Sequence, residues 1–118
     1  MRALVVVLLA LLVGCSRTAD STSGAGACTR ADPTCPAIVP SYANEIAPIF
    51  TAACVPCHYA GNPYAQSNLV DYANVHRVYG SALGQVESCL MPPASVQQLS
   101  EAERTAVLAW LACGAPDN

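Results

Sequence analysis

The sequence predicts an all-α domain of three to five short helices, and three observations predict it. Ser100 followed by Glu103 is a capping-box pattern, and Gly114 then Pro116 mark the end of the run that follows. Val75, Val78, Tyr79, Leu83 and Val86 recur at the spacing of one helix face and read as core. No alternating or β-branched run precedes Cys54 in the segment left after an export signal, so no strand is indicated there.

The elements follow in chain order. Arg2 precedes an unbroken apolar run from Ala3 to Val13, the layout of an export signal. The run is too short to cross a bilayer core of ~30 Å at ~1.5 Å per residue. An ordinary cleaved signal or a buried helix would also be apolar. However, Leu12-Val13-Gly14-Cys15 resembles the bacterial lipobox, whose cysteine is lipidated and becomes the new N-terminus. On that resemblance, residues 1–14 are removed and Cys15 carries acyl chains that anchor the protein to a membrane. Ser16, which is not Asp, then favours the outer membrane over the inner, with the domain on the periplasmic side. The small polar stretch from Ser16 to Ala27 is a tether with an r.m.s. span of about 20 Å. Residues 15–40 thus form a lipidated, tethering segment that includes Cys28 and Cys35, and residues 41–118 form the folded domain.

Within the domain, Pro48 suits the first turn of a helix that runs into Cys54, with Ile49, Phe50 and Ala53 on its apolar side. Ala60-Gly61-Asn62-Pro63 is a loop. Asp71 is an N-cap, and one or two helices follow to about Ser88, with breaks expected near Gly80 and Gly84. In the last helix Ala106, Trp110 and Cys113 share a face, which turns Trp110 inward towards Phe50.

Charge excludes one class of function. Five Arg, no Lys and eight acidic residues give a net charge of -3, so there is no basic stripe to follow nucleic acid. No Ser/His/Asp set, carboxylate pair or phosphate loop points to an enzyme acting on a small-molecule substrate.

Seven cysteines stand at positions 15, 28, 35, 54, 57, 89 and 113. With Cys15 lipidated, and Cys54 and Cys57 acting as one unit, four remain for disulfides in an oxidising compartment. Four cysteines allow three pairings, which sequence does not separate. The preferred one is Cys28–Cys35 across a short Asp-Pro turn and Cys89–Cys113, pinning the last helix to the Met91 loop.

Cys54-Val55-Pro56-Cys57-His58 could serve zinc, a redox disulfide or a covalent haem. Structural zinc needs four ligands, and no second ligand pair accompanies this one. A thioredoxin-like pair belongs at a helix start after a strand, which is absent here. C-x-x-C-H in an exported chain is the pattern of c-type haem attachment: two thiols one helical turn apart, then a histidine for the iron.

The stretch from about Tyr42 to Ala115 resembles a small monohaem class I cytochrome c domain. The likeness rests on IAPIFTAACVPCH, on MPP at Met91–Pro93 and on LSEAERTAVLAWLACGAP. It implies helices wrapped around one covalent haem c, thioethers at Cys54 and Cys57, and His58 as proximal iron ligand. Met91, the sole methionine left once the signal is removed, sits in a Pro-containing loop before the last helix and becomes the distal ligand. His76 is the rival for that position. Phe50 and Trp110 are expected in the haem pocket, and the Pro63 carbonyl is the candidate acceptor for the second ring nitrogen of His58. The implied activity is single-electron transfer between redox partner proteins. A haem sensor or peroxidase-like protein with an open sixth iron position is the alternative.

Overall fold

The computed structural model describes residues 28–63 and 65–118. The signal segment, Cys15 and the tether lie outside these residues. The described chain is all-α, with helices α1 (Ala47–Ala53), α2 (Tyr72–Arg77), α3 (Tyr79–Glu87) and α4 (Glu101–Ala112). None of them is long and apolar enough to cross a membrane.

The first helical run starts earlier than Pro48 suggested. A single π turn, Tyr42–Ile46, leads straight into α1. Ser41 caps it: its Oγ accepts from the Asn44 N–H, and Glu45 Oε2 accepts from the Ser41 N–H at 2.8 Å. This is a capping box stretched by one residue, Ser41 with Glu45 rather than an i, i+3 pair. The wider π turn makes that register possible.

Asp71 caps α2, accepting from the Asn74 N–H at 2.9 Å. The break before α3 falls at Val78, not at the glycines; Gly80 and Gly84 both lie inside α3. A helix tolerates an interior glycine at a cost of about 1 kcal/mol. Val78 instead leaves helical geometry, at φ -118° and ψ 13°. Of the predicted core face, Val75 and Val86 are buried and Val78 and Leu83 pack against the core, whereas Tyr79 is exposed.

Helix α4 matches its sequence signal. Ser100 Oγ accepts from the Glu103 N–H, and Glu103 returns the bond to the Ser100 N–H. At its other end Gly114 takes φ +83°, so the Gly114 N–H reaches Leu111 O and the Ala115 N–H reaches Trp110 O, closing the last turn. The same pair of bonds ends α3, from the Cys89 N–H to Val86 O and from the Leu90 N–H to Gln85 O. There the left-handed residue is Cys89, at φ 61°.

Helix α4 packs on α3 and on the π turn. The core centres on Trp110, Ile46, Leu111, Val75 and Val107, all fully buried or nearly so. Trp110 stacks on Tyr42 at 5.4 Å and meets the edge of Phe50 at 6.1 Å. Its indole N–H donates to Pro116 O, so its burial leaves no polar atom unpaired.

Two disulfides staple this core, and their pairing corrects the sequence expectation. Cys28 joins Cys89, and Cys35 joins Cys113; neither Cys28–Cys35 nor Cys89–Cys113 forms. The N-terminal segment explains why. The Ala31 N–H donates to Glu87 O and Arg30 pairs with the Glu87 carboxylate, which lays this segment over the end of α3. Cys28 therefore meets the residue that ends α3, and Cys35 meets the residue that ends α4. Each bridge closes a long loop instead of a local one.

Candidate functional site

The Cys54–His58 stretch continues the helical path of α1 for one more turn. The Cys54 and Val55 N–H groups both donate to Phe50 O, and the Cys57 and His58 N–H groups both donate to Cys54 O. Two thiols one turn apart, followed by an imidazole, are thus fixed by backbone bonds. Both thiols are free, with Cys54 half-buried and Cys57 exposed.

The loop after His58 folds back on it. The Leu69 N–H donates to His58 O at 2.8 Å, and the imidazole Nδ1 donates to Ser67 O at 3.0 Å. A carbonyl only accepts, so Nδ1 carries the ring proton and Nε2 keeps a lone pair for a metal. This corrects the Pro63 assignment: the acceptor is Ser67, four residues further on. Asn62 stiffens the loop by donating its side-chain amide to Cys57 O, and Gly61 supplies the turn at φ +82°.

These groups open onto a cavity of about 690 Å³. Its lining includes Phe50, Ala53, Cys54, Cys57 and His58 from the first helical run, together with Val78, Ala82, Val86, Met91, Pro92, Leu99 and Val107. The volume lies in the range of cofactor pockets, and the lining is mostly apolar with a few convergent donors. Met91 and His58 therefore line one space, although 33 residues separate them in sequence. His76 does not line it. Its Nδ1 lies 3.0 Å from Ala115 O and its ring stacks between Tyr72 and Tyr79. Trp110 does not line it either; it stands behind Phe50 as support, as its ring contact shows.

The chemistry of the donors narrows what the site can hold. Among the described residues no three His, Cys, Asp or Glu side chains gather as a metal-holding group. Burial, and then the neighbouring Cys57, push the Cys54 thiol up to about 11. Two thiols, one Nδ1-anchored imidazole and one thioether around an apolar space do fit a covalently held haem.

Sequence reading missed two groups. One is the Ser67 carbonyl, which no side-chain pattern announces. The other is Arg104, whose guanidinium Nη2 donates to Val86 O at 3.0 Å and Glu87 O at 3.1 Å beside the Met91 loop. Its signal was present: Arg104 shares the helical face of Val107 and Leu111, both buried.

No protein-family model, curated protein or solved structure matches this chain. What fold and site define together is a disulfide-stapled all-α domain. It presents a C-x-x-C-H turn and a methionine to one apolar cavity.

Proposed function

We propose that this protein is a c-type cytochrome, exported and held to a membrane by lipid on Cys15, that carries single electrons between redox partner proteins. One arrangement carries the proposal. The Cys54–His58 turn, with its imidazole anchored through Nδ1 to Ser67, and Met91 both line the same apolar cavity.

In this reading Cys54 and Cys57 would hold one haem c covalently, and His58 Nε2 and the Met91 sulfur would ligate its iron. Haem supplies a one-electron couple between the ferrous and ferric states. The chain's own part is to orient and to exclude water. The Ser67 carbonyl fixes the imidazole and raises its basicity as a ligand. Phe50, Val86, Leu99 and Val107 form a dry wall that favours the less charged ferrous state, as the methionine thioether also does. No substrate is turned over. The acidic net charge of -3 suits a partner with a basic docking face.

The experiment is an absorption spectrum of the exported protein in both oxidation states, with carbon monoxide added to the ferrous form. A low-spin spectrum that carbon monoxide leaves unchanged supports the carrier. Rapid carbon monoxide binding with high-spin ferric iron identifies instead a sensor or peroxidase-like protein with an open sixth position.

A further inference from the structure

The loop that carries Met91 leaves the end of α3 through a residue poorly suited to that task. Cys89 occupies the left-handed region at φ 61°, a helix-end conformation usually taken by glycine. A non-glycine residue is strained there, so the cap persists only if neighbours hold it. The Leu90 and Met91 N–H groups both donate to Gln85 O, at 2.9 and 3.1 Å, so the register of Met91 depends directly on this cap.

The Cys28–Cys89 bridge ties this residue to the N-terminal segment, and Arg104 of α4 braces the helix end from the other side of the sequence. Its Nη2 donates to Val86 O and Glu87 O, in the last turn of α3, and lies 3.7 Å from Cys89 Sγ. A positive charge at a helix C-terminus also suits the partial negative charge there. Among the described residues Arg104 has no carboxylate partner, and its Nε is buried without a hydrogen bond. Leaving that one Nε buried and unpaired opposes folding, a cost that an apolar side chain would not carry. What arginine alone adds is one donor group bridging two consecutive carbonyls beside the loop.

We propose that Arg104 is the positioning residue for Met91: it locks the left-handed end of α3 and so holds the methionine sulfur in the cavity. This rests on the reading of Met91 as an iron ligand, but the lock itself does not depend on haem. Two readouts on the full-length, haem-loaded protein separate the two.

The first is amide hydrogen exchange at Leu90 and Met91 in wild type, Arg104→Met and Arg104→Lys. Loss of a hydrogen bond to a charged donor should speed exchange at these two amides by about tenfold or more. Amides remote from the lock, such as Val75, should stay unchanged, and Arg104→Lys should restore part of the protection. The second is the rate at which cyanide enters the ferric site, together with the thioether-to-iron charge-transfer band. Arg104→Met should bind cyanide about tenfold faster or more, with a weakened band.

Equal acceleration of all amides would reduce Arg104 to general stability and overturn the proposal. So would wild-type exchange and cyanide rates in Arg104→Met. If Arg104→Met does not fold, Arg104→Lys decides alone, and local loosening at Leu90 and Met91 is again required. A wild-type protein that has no thioether band, yet shows the local exchange effect, would contradict the His58/Met91 ligand set and leave the lock standing.

Discussion

Replacing Cys28 and Cys89 together by alanine should destabilise the domain by an amount that its topology sets. Taken alone, a bridge closing 61 residues removes about 4.3 kcal/mol of unfolded-chain entropy in the loop-closure model. The second bridge shortens this loop. With Cys35 tied to Cys113, the path from Cys28 to Cys89 runs seven residues to Cys35 and twenty-four back from Cys113, about 31 residues. Closing a loop of that length is worth about 3.7 kcal/mol. The assay is denaturant unfolding of the haem-loaded protein, with thiol counting and peptide mapping before reduction. The expected result is a loss of about 2–4 kcal/mol, no new free thiol, and an intact Cys35–Cys113 peptide. Two new free thiols, or a change below about 0.5 kcal/mol, would refute the crossed pairing and the loop argument built on it.

Three further results are expected. Met91→Ala should abolish the thioether-to-iron charge-transfer band and lower the reduction potential; an unchanged spectrum would remove Met91 from the iron. Trp110→Ala should cost about 3–5 kcal/mol in unfolding free energy, since a fully buried ring loses its contacts with Tyr42 and Phe50. Glu103 is held below its ordinary value of 4.5, first by the Ser100 backbone N–H and then by the Ser100 hydroxyl. A lowered folded-state value means this cap contributes fully above that ordinary value and is lost as pH falls through the folded one. Thermal unfolding at about pH 7 and about pH 3 should therefore show a smaller acid loss for Glu103→Gln than for wild type.

Local physics made much of this fold legible. Ser100, Glu103 and Gly114 state the start and stop of α4 in side-chain terms, and the structure places them as stated. Asp71 does the same for α2. Cys54–His58 was legible because its spacing is itself the geometry: two thiols and an imidazole on one turn. The losses came where distant segments decide. The disulfide pairing depends on which helix ends the N-terminal segment crosses, and Glu87 settles that through its backbone carbonyl as much as its carboxylate. The His58 anchor is likewise a main-chain oxygen, at Ser67, which leaves no trace in residue type. The glycines of α3 misled for the converse reason: glycine permits a break but does not impose one, and Val78 made the break instead. Trp110 was placed inward correctly, but one layer too close to the cavity.

Mass analysis of the purified exported protein, alongside its absorption spectrum, tests the central claim most directly. The prediction is a polypeptide carrying one haem, retained after acid-acetone extraction through Cys54 and Cys57, and released from that linkage when both cysteines are replaced by alanine. A protein isolated with both thiols free and no haem mass, from cells able to attach c-type haem, would contradict it.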